Sequence, residues 1–438
     1  MFGPFASIDQ KTRARANNWL ELAVKVWNFR RDVLAPALLR EFETKMTTLR
    51  SLVRERAEAA KLAPAIEELE DVLRRAGGTH YPRTETVEWV EFLLVAAIVI
   101  IGVRTYFIQP FQIPTNSMWP SYHGMTADVY PSRDQEPSSG MEALRFATTG
   151  ARPRRIDAPV SGEVMLPIPS APGATQGVIQ FTKVPGRSWL VFPSVQREYR
   201  ILVGTRFVTL QVPVDFDFDW VARDTFFPGF GKQSPTETLS DQVQRGATVD
   251  LVVDDGHGGH ERVRYLKTGR FVQAGERVLS FDILAGDMLM VDRCSYHFVR
   301  PPVGSGFVFR TGAIPGIMRP DANGDIPPET FYIKRLVGTP GDTLQVREPA
   351  LYRNGAPITG AASFDKEARR TDRYPGYRAL AGLANGQSIT VPADSYFAMG
   401  DNSPNSYDSR FWGFVPAASV IGRPLLIYYP FPRLNLSQ

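Results

Sequence analysis

The chain has 438 residues, 43% of them hydrophobic and 22% charged, which is enough to bury the cores of about two or three globular domains. Its formal net charge is only +4, and no stretch interleaves basic residues with aromatics, so nucleic acid is not expected as a partner. Cys294 is the single cysteine, which excludes an internal disulfide and a zinc site of the CxxC type.

Apolar residues at helical spacing indicate that the first segment is helical. Phe42 and Met46 begin one such series, and Ile66 and Leu69 continue the pattern further along the chain. Charged residues fill many of the other positions. We predict a cytoplasmic helical region over residues 1–85, built as a helical hairpin with a solvated charged face. A helix that binds a partner or a membrane surface is the alternative.

A transmembrane anchor is predicted over residues 86–108. Residues 92–103 form an uninterrupted apolar run, and the wider window 89–108 contains only two charges, Glu91 and Arg104. Twenty helical residues extend for about 30 Å, the thickness of the hydrocarbon core. A buried core helix is the alternative.

The distribution of basic residues predicts the orientation of this anchor. Arg74, Arg75 and Arg83 precede it, whereas no lysine or arginine occurs between Arg104 and Arg133. Positively charged flanks stay on the cytoplasmic side. The N-terminus is therefore expected inside the cell and the remainder of the chain outside it.

The rest of the chain reads as mainly β-structure, with short apolar or alternating runs separated by glycine, proline and aspartate turns. We predict one antiparallel β-domain formed by residues 109–126 and 284–438. A separate β-rich insert, residues 127–283, is expected between its two parts.

Three acidic or histidine-containing stretches could suggest a metal site. Residues 254–260 and 321–325 are interpreted as turns, and residues 215–219 as an exposed strand with alternating side chains. No metal ion or other cofactor is predicted.

Three further motifs contain the residue types of a hydrolytic site. They are FQIPTNSMWP at 111–120, FYIKRLVGTPGD at 331–342 and MGDNSPNSYDSRFWG at 399–413. In this order, behind one membrane segment, the motifs resemble those of the type I signal peptidases, which are serine peptidases with a Ser–Lys dyad. The resemblance covers the motifs and their adjoining strands, and it does not extend to residues 1–80 or to the insert.

The residues themselves support a lysine base. A serine hydroxyl needs a neighbouring base, and none of the five histidines lies in a motif of triad type. A lysine with a pKa of about 10.4 is neutral in about one molecule in a thousand at pH 7.5, whereas a pKa of about 8 leaves about a quarter neutral. Strand alternation places Tyr332 and Lys334 on one face, so we expect Lys334 in an apolar cleft and Arg335 in water.

The resemblance implies a role for each matching position. Ser117 is the expected nucleophile and Lys334 the general base, which Ser406 would orient. The Ser117 amide and the Thr115 hydroxyl are expected to form the oxyanion hole, although Thr115 stands where serine is commonest and Asn116 where glycine is. Asn116 is expected to be accepted there because asparagine tolerates unusual backbone angles. The remaining assignments are a structural ion pair, Asp408 with Arg410, and substrate-pocket residues Phe111, Ile113, Pro114, Met118, Tyr332 and Ile333.

The expected function is that of a membrane-bound serine endopeptidase that cleaves signal peptides after small residues. Residues 109–126 and 284–438 would form its catalytic domain, and the insert would modulate access without taking part in bond cleavage. The enzyme would act on the outer (periplasmic) face of the bacterial plasma membrane, with preprotein signal peptides and the lipid bilayer as partners. The protein translocation machinery is a further expected partner. Two alternatives stay open, a Ser–Lys processing peptidase of narrow specificity and a catalytically silent, membrane-tethered binding protein.

Overall fold

The computed structural model describes residues 8–82, 85–169, 178–188, 192–228, 239–254, 260–320 and 326–436. It divides into two compact units, Met1–Ile101 and Gly102–Gln438. The motifs of the catalytic chemistry all lie in the second unit.

The first unit contains three packed helices, α1 (Ile8–Arg30), α2 (Pro36–Arg54) and α3 (Ala59–Ala76). The predicted helical hairpin is therefore wrong, because α1 adds a third helix to the same core. Its buried positions are spaced for a helix, but two of the four are alanines, so the pattern is weak in the sequence. Residues from the three helices share one apolar core, which includes Ala16, Ala23, Phe42, Leu49, Leu62, Ile66 and Leu69.

Helix α4 (Glu85–Tyr106) is strongly apolar, carries charged residues only in its first two turns and its last turn, and has no buried residue among those described. By length and composition it can cross a membrane. It ends two residues before the end of the predicted anchor because Ile108 already begins the first strand.

The second unit is mainly β-structure, and every strand pairing in its described part is antiparallel. Its strands are β1 (Ile108–Gln112), β2 (Thr126–Val129), β3 (Arg152–Asp157), β4 (Gly162–Ile168), β5 (Thr182–Ser188), β6 (Phe192–Val203), β7 (Arg206–Pro213), β8 (Thr248–Asp254), β9 (His260–Val272), β10 (Arg277–Leu284), β11 (Met288–Asp292), β12 (Gly306–Arg310), β13 (Phe331–Gly338), β14 (Thr343–Arg347), β15 (Ala350–Arg353), β16 (Ala356–Pro357), β17 (Ser388–Thr390), β18 (Ser395–Met399), β19 (Val415–Pro416), β20 (Val420–Tyr429) and β21 (Asn435–Leu436). Its helices are α5 (Ser139–Thr149), α6 (Phe218–Phe226), α7 (Leu239–Arg245), α8 (Ala362–Arg369) and α9 (Ser409–Trp412).

The largest sheet pairs β1, which directly follows α4, with strands from the C-terminal part of the chain. Its order is β1-β11-β20-β12-β13-β18-β19, with β21 beside β20, and a smaller sheet has the order β16-β15-β14-β17. Neighbouring strands lie about 4.8 Å apart, so β1 and β13 would be about 19 Å apart in a flat sheet. The ring of Phe111 in β1 nevertheless lies 5.1 Å from the ring of Phe331 in β13, centroid to centroid. The sheet therefore curls and forms a cleft between these strands.

Residues 126–284 form two more sheets. One has the order β2-β10-β3 and the other β5-β6-β4-β9-β8, with β7 beside β6. Thr126 pairs with Leu284, so the chain leaves and re-enters at adjacent positions. The two sheets share an apolar core with α6, and its members include Val164, Tyr199, Phe216, Phe218, Val221 and Phe281.

The prediction of an exposed strand at residues 215–219 is wrong. Phe216 and Phe218 are buried, and α6 begins at Phe218. The Asp217 carboxylate caps this helix by accepting a hydrogen bond of 3.1 Å from the Asp219 amide. In the other two stretches interpreted as turns, residues 255–259 and 321–325 lie outside the described part of the chain.

Candidate active site

Ser117 and Lys334 are in direct contact. Ser117 lies in a short 3-10 turn, Asn116–Met118, that follows β1, and Lys334 lies in β13. The two reactive atoms, Lys334 Nζ and Ser117 Oγ, are 2.6 Å apart. Lys334 Nζ also donates a longer bond of 3.4 Å to Ser406 Oγ. The hydroxyls of Ser117 and Ser406, the residues assigned to nucleophile and base orientation, therefore both contact the amine of Lys334, the residue assigned as base.

The amine of Lys334 lies in a site that disfavours its charge. Lys334 is only 4% exposed. The pKa of Lys334 falls from 10.5 to about 8, chiefly because of burial; the charge of Arg410 contributes to this decrease, whereas Asp408 and Asp401 oppose it. At pH 7.5 a lysine with this pKa is neutral in about a quarter of molecules. The arrangement can therefore supply a neutral amine next to a serine hydroxyl.

Arg335 does not face water, contrary to the prediction. It is 2% exposed, and its guanidinium donates bonds of 2.7 and 2.6 Å to the two carboxylate oxygens of Asp401. Further bonds reach the Gly304 carbonyl and the Ser121 hydroxyl. Strand alternation is correct, but both faces of β13 are covered at this point. Arg335 therefore belongs to a buried polar cluster behind the dyad.

Asp408 and Arg410 form the predicted contact in the third motif. Both side chains are fully buried, and the guanidinium donates two bonds of 2.8 Å to the carboxylate. Asp408 also accepts a bond from the Gly400 amide, and Arg410 donates to the Ser403 carbonyl. This pair ties together the two ends of the segment that contains Ser406.

Two asparagines form hydrogen bonds that fix the turn containing Ser117. The sequence analysis did not predict this role. The Asn402 amide and side chain donate to the carbonyls of Ser117 and Asn116 at 3.1 and 3.0 Å. Asn116 does not adopt a positive φ, so the reason expected for its presence is wrong. Its side chain instead donates to the Met125 carbonyl and accepts from the Gly124 amide. Asn402 lies within the third motif, and this position was the feature of the sequence that could have pointed to its role.

Gly400 is predicted to be essential for the geometry of the dyad. A Cβ at this position would lie 2.2 Å from Ser406 Oγ and 2.3 Å from the Ser117 carbonyl oxygen. Gly400→Ala should therefore displace both residues and lower kcat/KM for a peptide substrate by about a hundredfold. Gly140→Ala is the matched control because a Cβ there meets nothing within 4 Å. Equal activity of the two variants would contradict this assignment.

A cavity of about 2150 Å³ contains the dyad. Phe111 and Phe331 flank it with their ring centroids 5.1 Å apart. Met118 is fully buried in the core and is absent from the lining residues, so its predicted contact with substrate is wrong. Its side chain packs behind the wall. The other predicted pocket residues line the cavity, and so does Thr115, the residue predicted for the oxyanion hole. These residues are Phe111, Ile113, Pro114, Thr115, Tyr332 and Ile333.

The insert contributes part of the same cavity. None of the dyad or supporting residues lies in the insert, yet Asp215 and Trp220 of the insert line the cavity. The Trp220 ring contacts the Trp119 ring edge to face at 5.7 Å. Burial raises the pKa of Tyr332, and the charge of Asp215 contributes to the shift. The insert therefore lies across from the catalytic strands.

Comparison with known proteins gives matches to one family. Residues 277–429 match the family described as "Signal peptidase, peptidase S26", a range that includes Lys334 but not Ser117. A signal peptidase I of Leptolyngbya laminosa is 32% identical over 39% of this chain and 73% of its own. A probable signal peptidase I-1 of Synechocystis is 31% identical over 37% of this chain and 76% of its own.

These likenesses define the class of protein as a serine peptidase. The chain belongs to the signal peptidase I family. The crystal structure of a signal peptidase I from Enterococcus faecalis aligns at 30% identity with 28% of this chain and 97% of its own, with a TM-score of 0.20.

Proposed function

We propose that this protein cleaves signal peptides from exported preproteins, with Ser117 as nucleophile and Lys334 as general base. The observation that carries the proposal is the 2.6 Å contact between the Ser117 hydroxyl and an amine whose pKa burial lowers to about 8. The alternatives are a Ser–Lys processing peptidase of narrow specificity and a catalytically silent binding protein. A silent protein would not need a buried lysine, whose charged form is destabilised by burial.

The chemistry needs only proton transfers between this chain and the substrate. Lys334 takes the Ser117 proton as Ser117 Oγ attacks the carbonyl carbon of the scissile peptide bond. The Ser117 amide and the Thr115 hydroxyl donate to the oxyanion of the tetrahedral intermediate. Lys334 then protonates the leaving amine, which leaves an ester on Ser117. A water molecule, deprotonated by Lys334, attacks this ester. Lys334 then returns the proton to Ser117 Oγ as the bond between Oγ and the acyl carbon breaks, and the signal peptide leaves as a carboxylic acid. Ser406 keeps Nζ aligned throughout.

The residues before the cut are proposed to lie between β1 and β13. Phe111 and Ile113 line one wall, and Tyr332 and Ile333 line the other. Apolar pockets of this kind discriminate weakly between small residues and reject large ones by exclusion. Cleavage is therefore expected after small residues.

Helix α4 is proposed to anchor the enzyme in the bacterial plasma membrane with its N-terminus in the cytoplasm. Ser117 follows Arg104 by 13 residues, so even an extended link places it within about 43–47 Å of the membrane surface. Signal peptides are themselves membrane-inserted, and a shared bilayer would orient enzyme and substrate toward one another. The lipid bilayer and the translocation machinery are the proposed partners.

The rate of cleavage is expected to rise with pH through an apparent pKa near 8. Only the neutral amine of Lys334 accepts the serine proton, and the fraction of neutral amine increases as pH rises through its lowered pKa. The measurement is kcat/KM for a peptide substrate between about pH 6 and pH 10. A chelator should leave the profile unchanged. A plateau already reached at pH 6 would contradict lysine as the base.

The proposed function is tested with the full chain in detergent and a model preprotein. The preprotein carries alanine at the first and third positions before the cut, and a matched preprotein carries tryptophan at the first. We expect N-terminal sequencing to find one mature chain from the first preprotein and no cleavage of the second. Absence of cleavage, with Ser117 nevertheless labelled by an acylating inhibitor, would favour a peptidase of narrow specificity.

A further inference from the structure

The cavity extends beyond Ser117, past the pockets proposed for the signal peptide. The chain after the nucleophile continues the wall with Trp119 and His123, whose rings lie 6.5 Å apart. Trp220 of the insert covers Trp119. In the proposed function, β1 and β13 bind the substrate residues that precede the scissile bond. This second part of the cavity therefore faces the substrate residues that follow that bond.

Two exposed arginines, Arg370 and Arg373, line the cavity. Neither makes an ion pair with a carboxylate in the described part of the chain. Arg373 is near His123: the pKa of His123 falls to about 4, chiefly because of burial, and the charges of Arg433 and Arg373 contribute to the decrease while Asp287 opposes it. Two guanidinium groups are thus available to a ligand that enters beside Trp119.

The loop that carries these arginines has an unusual backbone. Arg370, Asp372 and Arg373 have φ values of 53°, 53° and 69°, a region that non-glycine residues seldom adopt. Such conformations cluster at binding sites and persist where the surrounding structure enforces them.

Fixed contacts hold this loop in place. The Tyr374 hydroxyl lies 2.8 Å from Ser121 Oγ, and Asp372 pairs with Lys366 at 3.1 Å. The Gly376 amide donates to the buried Glu367 at 2.6 Å. The loop is therefore held in the conformation that presents its arginines to the cavity.

We propose that Arg370 and Arg373, with Trp119 and Trp220, form a subsite for the first residues of the mature chain and that this subsite favours acidic side chains. The inference rests on the proposed function, because it places the substrate across Ser117. Arginine pairs well with carboxylates through its planar, multiply donating guanidinium. The insert thus contributes to substrate selection through Trp220.

The test uses three preproteins that are identical up to the cut and carry Asp, Asn or Lys at the second and third positions after it. Wild-type kcat/KM should be about tenfold higher for the Asp than for the Lys preprotein at low salt, and the ratio should shrink at about 0.5 M salt. In Arg370→Gln/Arg373→Gln the ratio should fall below about twofold. In Arg370→Glu/Arg373→Glu it should reverse. Each ratio is internal to one preparation, so it does not depend on the folded fraction.

Arg369→Gln is the matched control, because Arg369 is a neighbouring exposed arginine that does not line the cavity. It should keep the wild-type ratio. A second measurement needs no cleavage: peptides that begin after the cut, with Asp or Lys, are bound to Ser117→Ala protein and followed by fluorescence anisotropy. Tighter binding of the Asp peptide, lost in the double glutamine variant, supports the subsite even if the proposed function fails. Equal binding of both peptides, or a ratio that the double variants retain, overturns it.

Discussion

Ser117→Ala and Lys334→Met are each expected to lower kcat/KM for a preprotein by about four orders of magnitude or more. The 2.6 Å contact makes nucleophile and base one unit, so the loss of either removes nearly the whole effect. The double variant should therefore be no slower than either single variant. Methionine keeps most of the volume of Lys334 and removes only the amine.

The control for these variants is Lys183→Met, which changes an exposed lysine outside the cavity and should stay within about twofold of wild type. If Lys334→Met kept more than about a tenth of the wild-type rate, Lys334 would not be the base. If the double variant were much slower than both single variants, the two residues would act independently.

Stability provides a second reading of Lys334→Met. Burial lowers the pKa of this amine from 10.5 to about 8, so holding it charged in the folded state costs about 3 kcal/mol. This cost is fully present below pH 8 and is relieved as pH rises toward 10.5. The variant should therefore unfold at a higher temperature than wild type at pH 7, and the difference should shrink by pH 10. A lower unfolding temperature at pH 7 would show that the loss of activity reflects damage to the fold.

The convergence of Ser117, Lys334 and Ser406 could be anticipated from the sequence because the three motifs resemble those of the type I signal peptidases. A serine nucleophile needs a base, and the histidines offered none in a suitable motif. The same reasoning could not find the role of Asn402, because its side chain donates to the Asn116 carbonyl across 286 residues of chain. Such contacts depend on the fold and leave no local pattern.

Errors arose where a local pattern fits two environments. Alternation along β13 was right, but the pattern does not say whether the second face meets water, and Asp401 lies 66 residues beyond Arg335. The alternating residues 215–219 suggested a strand, whereas Asp217 caps a helix whose phenylalanines are buried. Met118 directly follows Ser117 in the sequence but is fully buried in the core.

Asp401→Ala is expected to lower the free energy of unfolding of the catalytic unit by about 3–5 kcal/mol. Arg335 is 2% exposed and directs two bonds, of 2.7 and 2.6 Å, to this carboxylate. The variant leaves a buried guanidinium without its counterion, and neither the Ser121 hydroxyl nor the Gly304 carbonyl can supply the missing charge. Since Arg335 adjoins Lys334, activity should fall with stability.

The measurement is chemical denaturation of the full chain in detergent, with Asp250→Ala as the control for loss of an ion pair. Asp250 pairs with Arg264 at the surface, where a single pair contributes little, so its removal should leave the midpoint nearly unchanged. Arg335→Met/Asp401→Leu should be less destabilised than Asp401→Ala, because it removes both charges together and leaves no unpaired ion in the core. If Asp401→Ala were as stable as Asp250→Ala, water would have to reach Arg335, and the buried cluster would not be what holds β13 and Lys334 against Ser117.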